Sequence, residues 1–332
     1  MRKLLPILLI TALVSCNSCG DDVTPPTPDT LPPPPPRVQA PAFSPDSAYA
    51  FIQAQVDLGP RVPGTEAHEK CADMLKKKLG VYLDTVTVQE GTVTTYDGKQ
   101  LRIKNIMGSY KPERKDRVLL FAHWDTRHIA DRDSVDKNKP FDGANDGGSG
   151  VGVLLEVARV LQQQDPNIGV DILFLDAEDY GQPSDVKDGE EKNDTWCLGA
   201  QYWASHKPPG YSPRWGILLD MVGAKDPMFP REGTSMEYAP ALVDKVWQSA
   251  AQLGYGSIFL NDPTPPTVDD HYYINGVAQI PSIDIVHYDP IKRDYFAHHH
   301  RHSDNMENID KNTLNAVGRV LLDVVYNENP PK

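Results

Sequence analysis

The chain has 332 residues, of which 46 are acidic and 33 are Lys or Arg, giving a formal net charge of −13 at pH 7. This acidic balance argues against a nucleic-acid backbone as the main partner, and four cysteines are too few for a disulfide scaffold. The sequence contains no run of 18 apolar residues, so no ordinary membrane-spanning helix is expected.

The first part of the chain has the composition of a targeting segment followed by a tether. Residues 1–15 combine two basic residues with a short apolar stretch, as in a signal peptide. The stretch ends in Leu13-Val14-Ser15-Cys16, which resembles a bacterial lipobox. The resemblance predicts that Cys16 carries a lipid anchor in a membrane and that the protein lies on the side away from the cytoplasm. Residues 16–41 contain nine prolines and are predicted to form an extended spacer. The folded domain is predicted over 42–330.

Helical and strand patterns alternate along this domain. In chain order they predict helices over 45–58 and 66–79, the second ending at Gly80, and strands over 82–88, 101–107 and 118–123. These are followed by a helix over 151–163, a strand over 172–175, a helix over 198–206, a strand over 217–222, a helix over 239–253, a strand over 282–286 and a helix over 311–326. This order predicts a single three-layer α/β/α domain with a mainly parallel central sheet.

Carboxylates and imidazoles follow several of the predicted strands. They are His123 and Asp125, Asp146 on a glycine-rich turn, Glu178 and Asp179, Asp220, Asp269 to His271, and a histidine cluster over 298–302. Taken singly, each has an ordinary explanation as a helix cap, a solvated loop residue or a surface histidine. Because the carboxyl ends of parallel strands share one edge of a sheet, together they indicate one site. Oxygen and imidazole ligands without thiolate favour a catalytic zinc, although ligand type alone leaves manganese or iron open.

The order and spacing of these motifs resemble the zinc aminopeptidase-like family and, within it, the zinc-dependent glutaminyl-peptide cyclotransferases. The resemblance covers about residues 44–328, and the segments 218–224 and 269–271 favour the cyclotransferases. It implies the aminopeptidase-like fold and an enzyme that binds one zinc per chain. Its substrates would be peptides and proteins with an N-terminal glutamine, which is converted to pyroglutamate with release of ammonia.

The resemblance also implies roles for individual residues. The zinc would be held by Asp146, Asp179 and a histidine, the catalytic acid/base would be Glu178, and the carboxylates of the family's hydrogen-bond network would be Asp220 and Asp269.

The identity of the histidine ligand depends on its spacing from two aspartates. In the family the ligand lies four residues before one aspartate and ten before another. His300 has this spacing from Asp304 and Asp310, whereas His302 has neither. We therefore predict His300, with His302 as the second choice.

Three positions depart from the animal cyclotransferases and bear on the shape of the substrate pocket. His299 stands where those enzymes have tryptophan, Arg301 where threonine is common, and Asp284 where they have histidine. Trp196, on the loop after Glu178 and Asp179, is a candidate substrate wall, with core packing as its ordinary explanation.

Two other functions are consistent with the same residues. A two-zinc aminopeptidase would use His123, Asp146, Asp179, Asp220 and His300 as ligands. A catalytically silent lipoprotein would only bind peptides or a partner. Cys71 and Cys197, the two cysteines of the domain, could form a disulfide or remain two buried thiols.

Overall fold

The computed structural model describes residues 37–183, 192 and 194–328. The predicted signal peptide, the lipidated Cys16 and most of the proline-rich spacer lie outside the described residues. The end of that spacer, residues 37–41, lies near the last helix, where the N–H of Val38 donates to the side chain of Asn327 at 2.8 Å. In the described part of the chain, no helix has the length and apolar character needed to cross a bilayer.

The helices are α1 (Pro45–Val56), α2 (Glu66–Tyr82), α3 (Gly148–Leu161), α4 (Leu198–Ser205), α5 (Gly233–Tyr238), α6 (Pro240–Gln252), α7 (Asp270–Gly276) and α8 (Lys311–Tyr326). The strands are β1 (Thr85–Thr94), β2 (Gln100–Tyr110), β3 (Arg117–His123), β4 (Gly169–Leu175), β5 (Gly216–Asp220), β6 (Phe229–Arg231), β7 (Phe259–Pro263), β8 (Ser282–Val286), β9 (Tyr288–Asp289) and β10 (Asp294–Tyr295). The first helix begins as predicted, because the Ser44 hydroxyl accepts the N–H of Ser47 at 3.2 Å and Pro45 follows.

The second helix is longer than predicted, because Gly80 does not end it and the helix continues to Tyr82. Leu79 and Leu83 are buried at this end. A Cβ on Gly108 of β2 would lie 2.5 Å from Cδ1 of Leu83, so the helix end packs tightly on the strand. This burial outweighs the low helix propensity of glycine, which is about 1 kcal/mol less favourable than alanine.

The central sheet has six strands in the order β1-β2-β4-β3-β5-β8. Strands β4, β3, β5 and β8 are parallel, and β1 and β2 form an antiparallel pair joined to β4. The four parallel strands are buried along their whole length, as expected for apolar strands covered on both faces. The predicted mainly parallel sheet is therefore confirmed, with an antiparallel extension at one edge.

Alternate residues of β3 face the two helical layers. Leu120 and Ala122 belong to the core formed with α1, α2, α3, α6 and α8. Leu119 and Phe121 belong to the core formed with α4 and α7. The domain therefore has the predicted three layers, because the two-residue period of a strand divides its apolar side chains between two helical faces.

The two cysteines of the domain belong to different cores. Cys71 packs on the first side of the sheet and Cys197 on the second. Both are buried thiols without a disulfide. Of the two possibilities that the sequence leaves open, the structure therefore has the unpaired thiols.

Several short elements are not predicted from the sequence. Strands β6 and β7 form a small parallel pair, and β9 and β10 form a two-residue hairpin. Tyr295 of β10 lines a cavity beside the carboxyl ends of the parallel strands. These short elements therefore shape the surroundings of the site.

Candidate active site

All six residues predicted to bind metal or to act in catalysis line one cavity of about 450 Å³. The cavity lies where the parallel strands end. Glu178 and Asp179 follow β4, Asp220 ends β5, Asp146 precedes α3, Asp269 is the N-cap of α7, and His300 lies in a turn before α8. The fold thus brings together side chains that are far apart in the sequence.

Asp146 is held by a glycine turn and by a second carboxylate. Gly147 has a φ of +76°, and a Cβ at this position would lie 2.7 Å from the carbonyl oxygen of Asp125. Glycine is therefore the residue that this turn accommodates. The carboxylate of Asp304 accepts the N–H groups of Asn145 at 2.8 Å and of Asp146 at 3.0 Å. It fixes the backbone from which Asp146 projects.

A carboxylate also holds the turn that carries Glu178 and Asp179. Asp125 accepts the N–H of Glu178 at 3.0 Å and that of Asp179 at 3.3 Å. Ala177, just before them, has a left-handed φ of +51°. A non-glycine residue in this region is strained and persists where the surroundings enforce it. Asp125 therefore belongs to the framework of the site.

Asp146, Asp179 and His300 form a compact group. Nε2 of His300 lies 3.0 Å from Oδ1 of Asp179 and 3.7 Å from Oδ2 of Asp146. Burial and the charge of Asp179 raise the pKa of Asp146 to about 6. Although burial alone would lower the pKa of His300, the carboxylate of Asp179 raises it to about 9. Two carboxylates beside one imidazole are a donor set that suits a divalent cation.

The orientation of His300 depends on two residues that the sequence analysis missed. Nδ1 of His300 lies 3.3 Å from Oδ1 of Asp131, whose carboxylate accepts from Nε and Nη2 of Arg127 at 3.0 and 2.8 Å. Arg127 also donates to the carbonyl oxygen of Asp179 at 2.9 Å. A carboxylate on Nδ1 leaves Nε2 available to a metal. The only sequence signal for this pair was an arginine four residues before an aspartate.

Of the two histidines compared by spacing, His300 lies beside the carboxylates. Nε2 of His302 instead lies 3.3 Å from the carbonyl oxygen of Asp136. His299 also lines the cavity, with its Nε2 3.8 Å from Oδ2 of Asp146 and its ring centroid 3.7 Å from that of His300. A third histidine therefore adjoins the candidate metal site.

His123 joins a second group of carboxylates. Its Nε2 lies 3.2 Å from Oδ1 of Asp146 and 3.2 Å from Oδ1 of Asp220. Burial disfavours the imidazolium, but hydrogen bonds to Asp125, Asp146 and Asp220 raise the pKa of His123 well above its usual value. All five ligands of the two-zinc alternative therefore lie near one another.

Glu178 lies in an acidic network with Asp269. Ligand atoms of Glu178, Asp269 and Cys197 lie within 4.8 Å of one another, and the Cys197 thiol donates to Oε1 of Glu178 at 3.3 Å. Burial and the charge of Asp269 raise the pKa of Glu178 well above its usual value. Burial and the charge of Asp220 raise the pKa of Asp269 to about 7. Such neighbouring acids titrate as a coupled pair.

Asp284 extends this network deeper into the domain. Ligand atoms of Asp269, His271 and Asp284 lie within 4.8 Å of one another. Both carboxyl oxygens of Asp284 are buried without a hydrogen-bond partner among the described residues. Burial and the charge of Asp269 raise the pKa of Asp284 well above its usual value. Burial therefore favours the neutral form of the residue that replaces a histidine of the animal enzymes.

Trp196 lines the cavity, at the position considered for a substrate wall. Its ring is parallel to that of His300, with 5.9 Å between the ring centroids and 6° between the planes. The guanidinium of Arg127 lies 4.5 Å from the Trp196 ring centroid, within the range of a cation–π contact. Trp196 therefore packs against both His300 and the supporting Arg127.

Comparison with known proteins finds close relatives over the whole domain. A glutaminyl cyclase from Tannerella forsythia is 50% identical, and the match covers 87% of this chain and 100% of that chain with a TM-score of 0.84. A Zn-dependent exopeptidase from Parabacteroides distasonis is 48% identical over 87% of this chain and 100% of that chain, with a TM-score of 0.85. The aminopeptidase YwaD of Bacillus subtilis is 28% identical over 271 residues, which are 75% of this chain and 52% of that protein. This chain thus spans about half the length of YwaD.

The family model of peptidase family M28 matches residues 105–325, from within β2 almost to the end of α8. All six residues predicted for metal binding or catalysis lie in the matched span. The chain therefore belongs to peptidase family M28.

Proposed function

We propose that this chain is a zinc-dependent glutaminyl-peptide cyclotransferase, which converts the N-terminal glutamine of peptides and proteins to pyroglutamate and releases ammonia. The observation that carries the proposal is the pairing of Glu178 with Asp269 in the same cavity as Asp146, Asp179 and His300. Ring closure requires a group that removes one proton and delivers another beside the polarised carbonyl. The identity of 50% to a glutaminyl cyclase of Tannerella forsythia supports the same activity.

Asp146, Asp179 and His300 would hold one zinc. The site fits the ion, because Oδ2 of Asp146 is buried without a hydrogen-bond partner among the described residues, and Asp131 engages Nδ1 of His300 from behind. When bound, the zinc polarises the side-chain carbonyl of the substrate glutamine and stabilises the negative charge that develops on its oxygen.

Glu178 moves the protons. The α-amine nitrogen of the substrate forms a bond to its own side-chain carbonyl carbon, and the bond from that carbon to the amide nitrogen breaks. Glu178 accepts the proton that the α-amine loses and returns it to the departing nitrogen, which leaves as ammonia. The raised pKa of Glu178 favours a carboxyl group that holds a proton and can return it.

Asp269 and Asp220 support Glu178 as a chain of acids. Asp269, with a pKa of about 7, shares a proton with Glu178. Asp220 is anchored by His123 at 3.2 Å, and its charge raises the pKa of Asp269. Trp196 narrows the cavity. A cavity that holds the substrate bent brings its α-amine close to its side-chain carbonyl. This proximity is a large source of rate enhancement in an intramolecular reaction.

A two-zinc aminopeptidase is the second candidate. It is favoured by the 3.2 Å approach of His123 to both Asp146 and Asp220, which could hold a second ion. The metal content separates the two functions, because the cyclotransferase should bind one zinc per chain and the aminopeptidase two. A silent binding protein would turn over neither glutamine nor leucine peptides.

The lipobox supports a location outside the cytoplasm with the protein anchored to a membrane through Cys16. A single lipid chain gives weak binding, so a stable anchor would carry more than one. Cys16→Ser should move the protein from the membrane fraction to the soluble fraction. A variant that stays with the membrane would refute the anchor.

The activity is tested by mass spectrometry of a glutamine-initiated peptide incubated with the purified protein. A matched leucine-initiated peptide and a chelator-treated sample serve as controls. Loss of one ammonia from the glutamine peptide alone, abolished by the chelator, is the expected result. Release of a free N-terminal residue from either peptide would establish the aminopeptidase instead.

A further inference from the structure

His299 lines the cavity next to the candidate metal site, and ligand atoms of Asp146, His299 and His300 lie within 4.8 Å of one another. The proposed zinc ligands and the proposed proton carrier do not include it. Its side chain is 13% exposed. Tyr295 packs against the ring edge-on, with 4.8 Å between ring centroids and 64° between planes. His300 packs against it at 3.7 Å between centroids. The imidazole is therefore held from two directions.

The tautomer of His299 is set by Arg132. Nη1 of Arg132 lies 2.8 Å from Nδ1 of His299. A guanidinium has hydrogen-bond donors and no acceptor, so Nδ1 accepts and carries no hydrogen. In an imidazole with one bare nitrogen, the hydrogen lies on the other nitrogen. Arg132 is itself held by Asp294, whose two oxygens each lie 2.7 Å from Nη2. Nε2 of His299 is therefore an N–H donor.

This donor has no hydrogen-bond acceptor among the residues that the structure describes. The carboxylate oxygen Oδ2 of Asp146 lies 3.8 Å away, beyond hydrogen-bond distance. A nitrogen that carries a hydrogen does not ligate a metal. His300 has different neighbours, because its Nδ1 faces Asp131 and its Nε2 faces Asp179 of the candidate metal site. The two adjacent histidines are thus prepared for different partners.

Many of the side chains that line the cavity are carboxylates, which accept hydrogen bonds. Nε2–H of His299 is a neutral donor among them. The carboxylates include Asp146, Glu178, Asp179, Asp220 and Asp269. A peptide with an N-terminal glutamine brings nitrogen donors for these groups and two carbonyl acceptors. The side-chain carbonyl belongs at the metal, so the main-chain carbonyl of the glutamine needs a separate donor.

We propose that Nε2–H of His299 donates a hydrogen bond to the main-chain carbonyl of the substrate's N-terminal glutamine. The proposal rests on the proposed function for the identity of the substrate. His299 is then a substrate-positioning residue. It favours substrates in which the N-terminal glutamine has its main-chain carbonyl as a hydrogen-bond acceptor. A bond formed equally in the bound substrate and in the transition state acts on KM and leaves kcat nearly unchanged.

The test uses the full-length, zinc-loaded protein and two substrates. One is a glutamine-initiated dipeptide amide. The other replaces its first peptide bond by a trans-alkene, which keeps the shape and lacks the carbonyl oxygen. The wild type should prefer the amide by about tenfold in KM, with kcat within about twofold. His299→Phe keeps an aromatic ring and should abolish this preference by raising KM for the amide.

Two further variants separate the hydrogen bond from packing. Trp196→Phe removes a different N–H from the same cavity and should keep the preference. Arg132→Met keeps His299 but frees its tautomer, so the preference should fall partway. Loss of the preference in Trp196→Phe together with its survival in His299→Phe would assign the donor to the indole and refute the proposal.

Two measurements do not depend on turnover. ¹⁵N chemical shifts of labelled histidines should show the neutral Nε2–H form for His299, and His299→Phe should still bind one zinc. An Nδ1–H form, or loss of zinc in His299→Phe, refutes the proposal. If the wild type cyclises neither substrate, the proposed function fails and this proposal falls with it. If it cyclises both and the preference survives in His299→Phe, the proposal for His299 alone is refuted.

Discussion

Replacing Glu178 by glutamine removes the proposed proton carrier and leaves every proposed metal ligand in place. The backbone turn should persist, because Asp125 accepts the main-chain N–H of residue 178 and not its side chain. The Cys197 thiol, 3.3 Å from Oε1, can donate to an amide oxygen as it does to the carboxylate. The substitution therefore isolates the acid/base function.

General acid–base catalysis contributes about 10²–10⁴-fold to the rate, which corresponds to about 3–5.5 kcal/mol at 1.36 kcal/mol per decade. Glu178→Gln should lower kcat by this factor. Its stability should equal or exceed that of the wild type, because a repulsion with Asp269 disappears. The raised pKa of Glu178 means that the native state binds more protons than the unfolded state, so the wild type loses stability as the pH rises. The stability of Glu178→Gln relative to the wild type should therefore increase as the pH rises.

The assay is ammonia release from a glutamine-initiated peptide, with zinc content measured by mass spectrometry on the same samples. Glu178→Asp is the matched control, since it keeps a carboxylate and should retain part of the rate. Loss of zinc together with activity in Glu178→Gln would show that this residue supports the metal. A kcat within about threefold of the wild type would refute the proton-transfer role.

Three further predictions concern the metal, the acid network and the Asp146 turn. His300→Phe should lose the zinc and His302→Phe should keep it; the opposite result would reverse the ligand assignment. The pKa of Asp269, raised to about 7 by burial and by a neighbouring carboxylate, means that its native form keeps a proton that the unfolded chain loses above about pH 4. The contribution of Asp269 to stability therefore falls as the pH rises through this range. Asp269→Asn should raise the melting temperature of the metal-free protein more at pH 8 than at pH 5. An equal change in melting temperature at both pH values would contradict the raised pKa. Gly147→Ala, at a φ of +76°, should cost about 1–3 kcal/mol in thermal unfolding and weaken zinc binding; an unchanged melting curve would refute the strain argument.

The strands of the parallel sheet were the most predictable part of the fold. The strand predicted over 118–123 is present as Arg117–His123, and that over 282–286 has the same bounds in the structure. Both are short, mainly apolar runs, which is the local signature of a strand covered on two faces. The end of α2 was mispredicted, because tertiary packing of Leu83 outweighs the local preference of Gly80.

The candidate site was predicted from the rule that ligands bind at the carboxyl ends of parallel strands together with a family resemblance, and the six proposed residues line one cavity. The supporting residues Arg127 and Asp131 were missed. Their partners His300 and Asp179 lie more than 45 positions away in the sequence, and no local pattern announces a contact between such distant segments. Cys197 was considered as a disulfide partner or as an unpaired buried thiol, and the contact of its thiol with Glu178 was not predicted.

The sequence by itself determined which chemical groups are available and the order of the elements that carry them, because periodicity, caps and glycine turns act over a few neighbouring residues. Only the tertiary structure decided how those groups are protonated and oriented. Arg132 faces one nitrogen of His299, whereas carboxylates face both nitrogens of His300, so two adjacent histidines have opposite electrostatic surroundings. Hydrogen bonds and charges act over a few ångströms in space, so these properties depend on distances between elements that the order of residues does not contain.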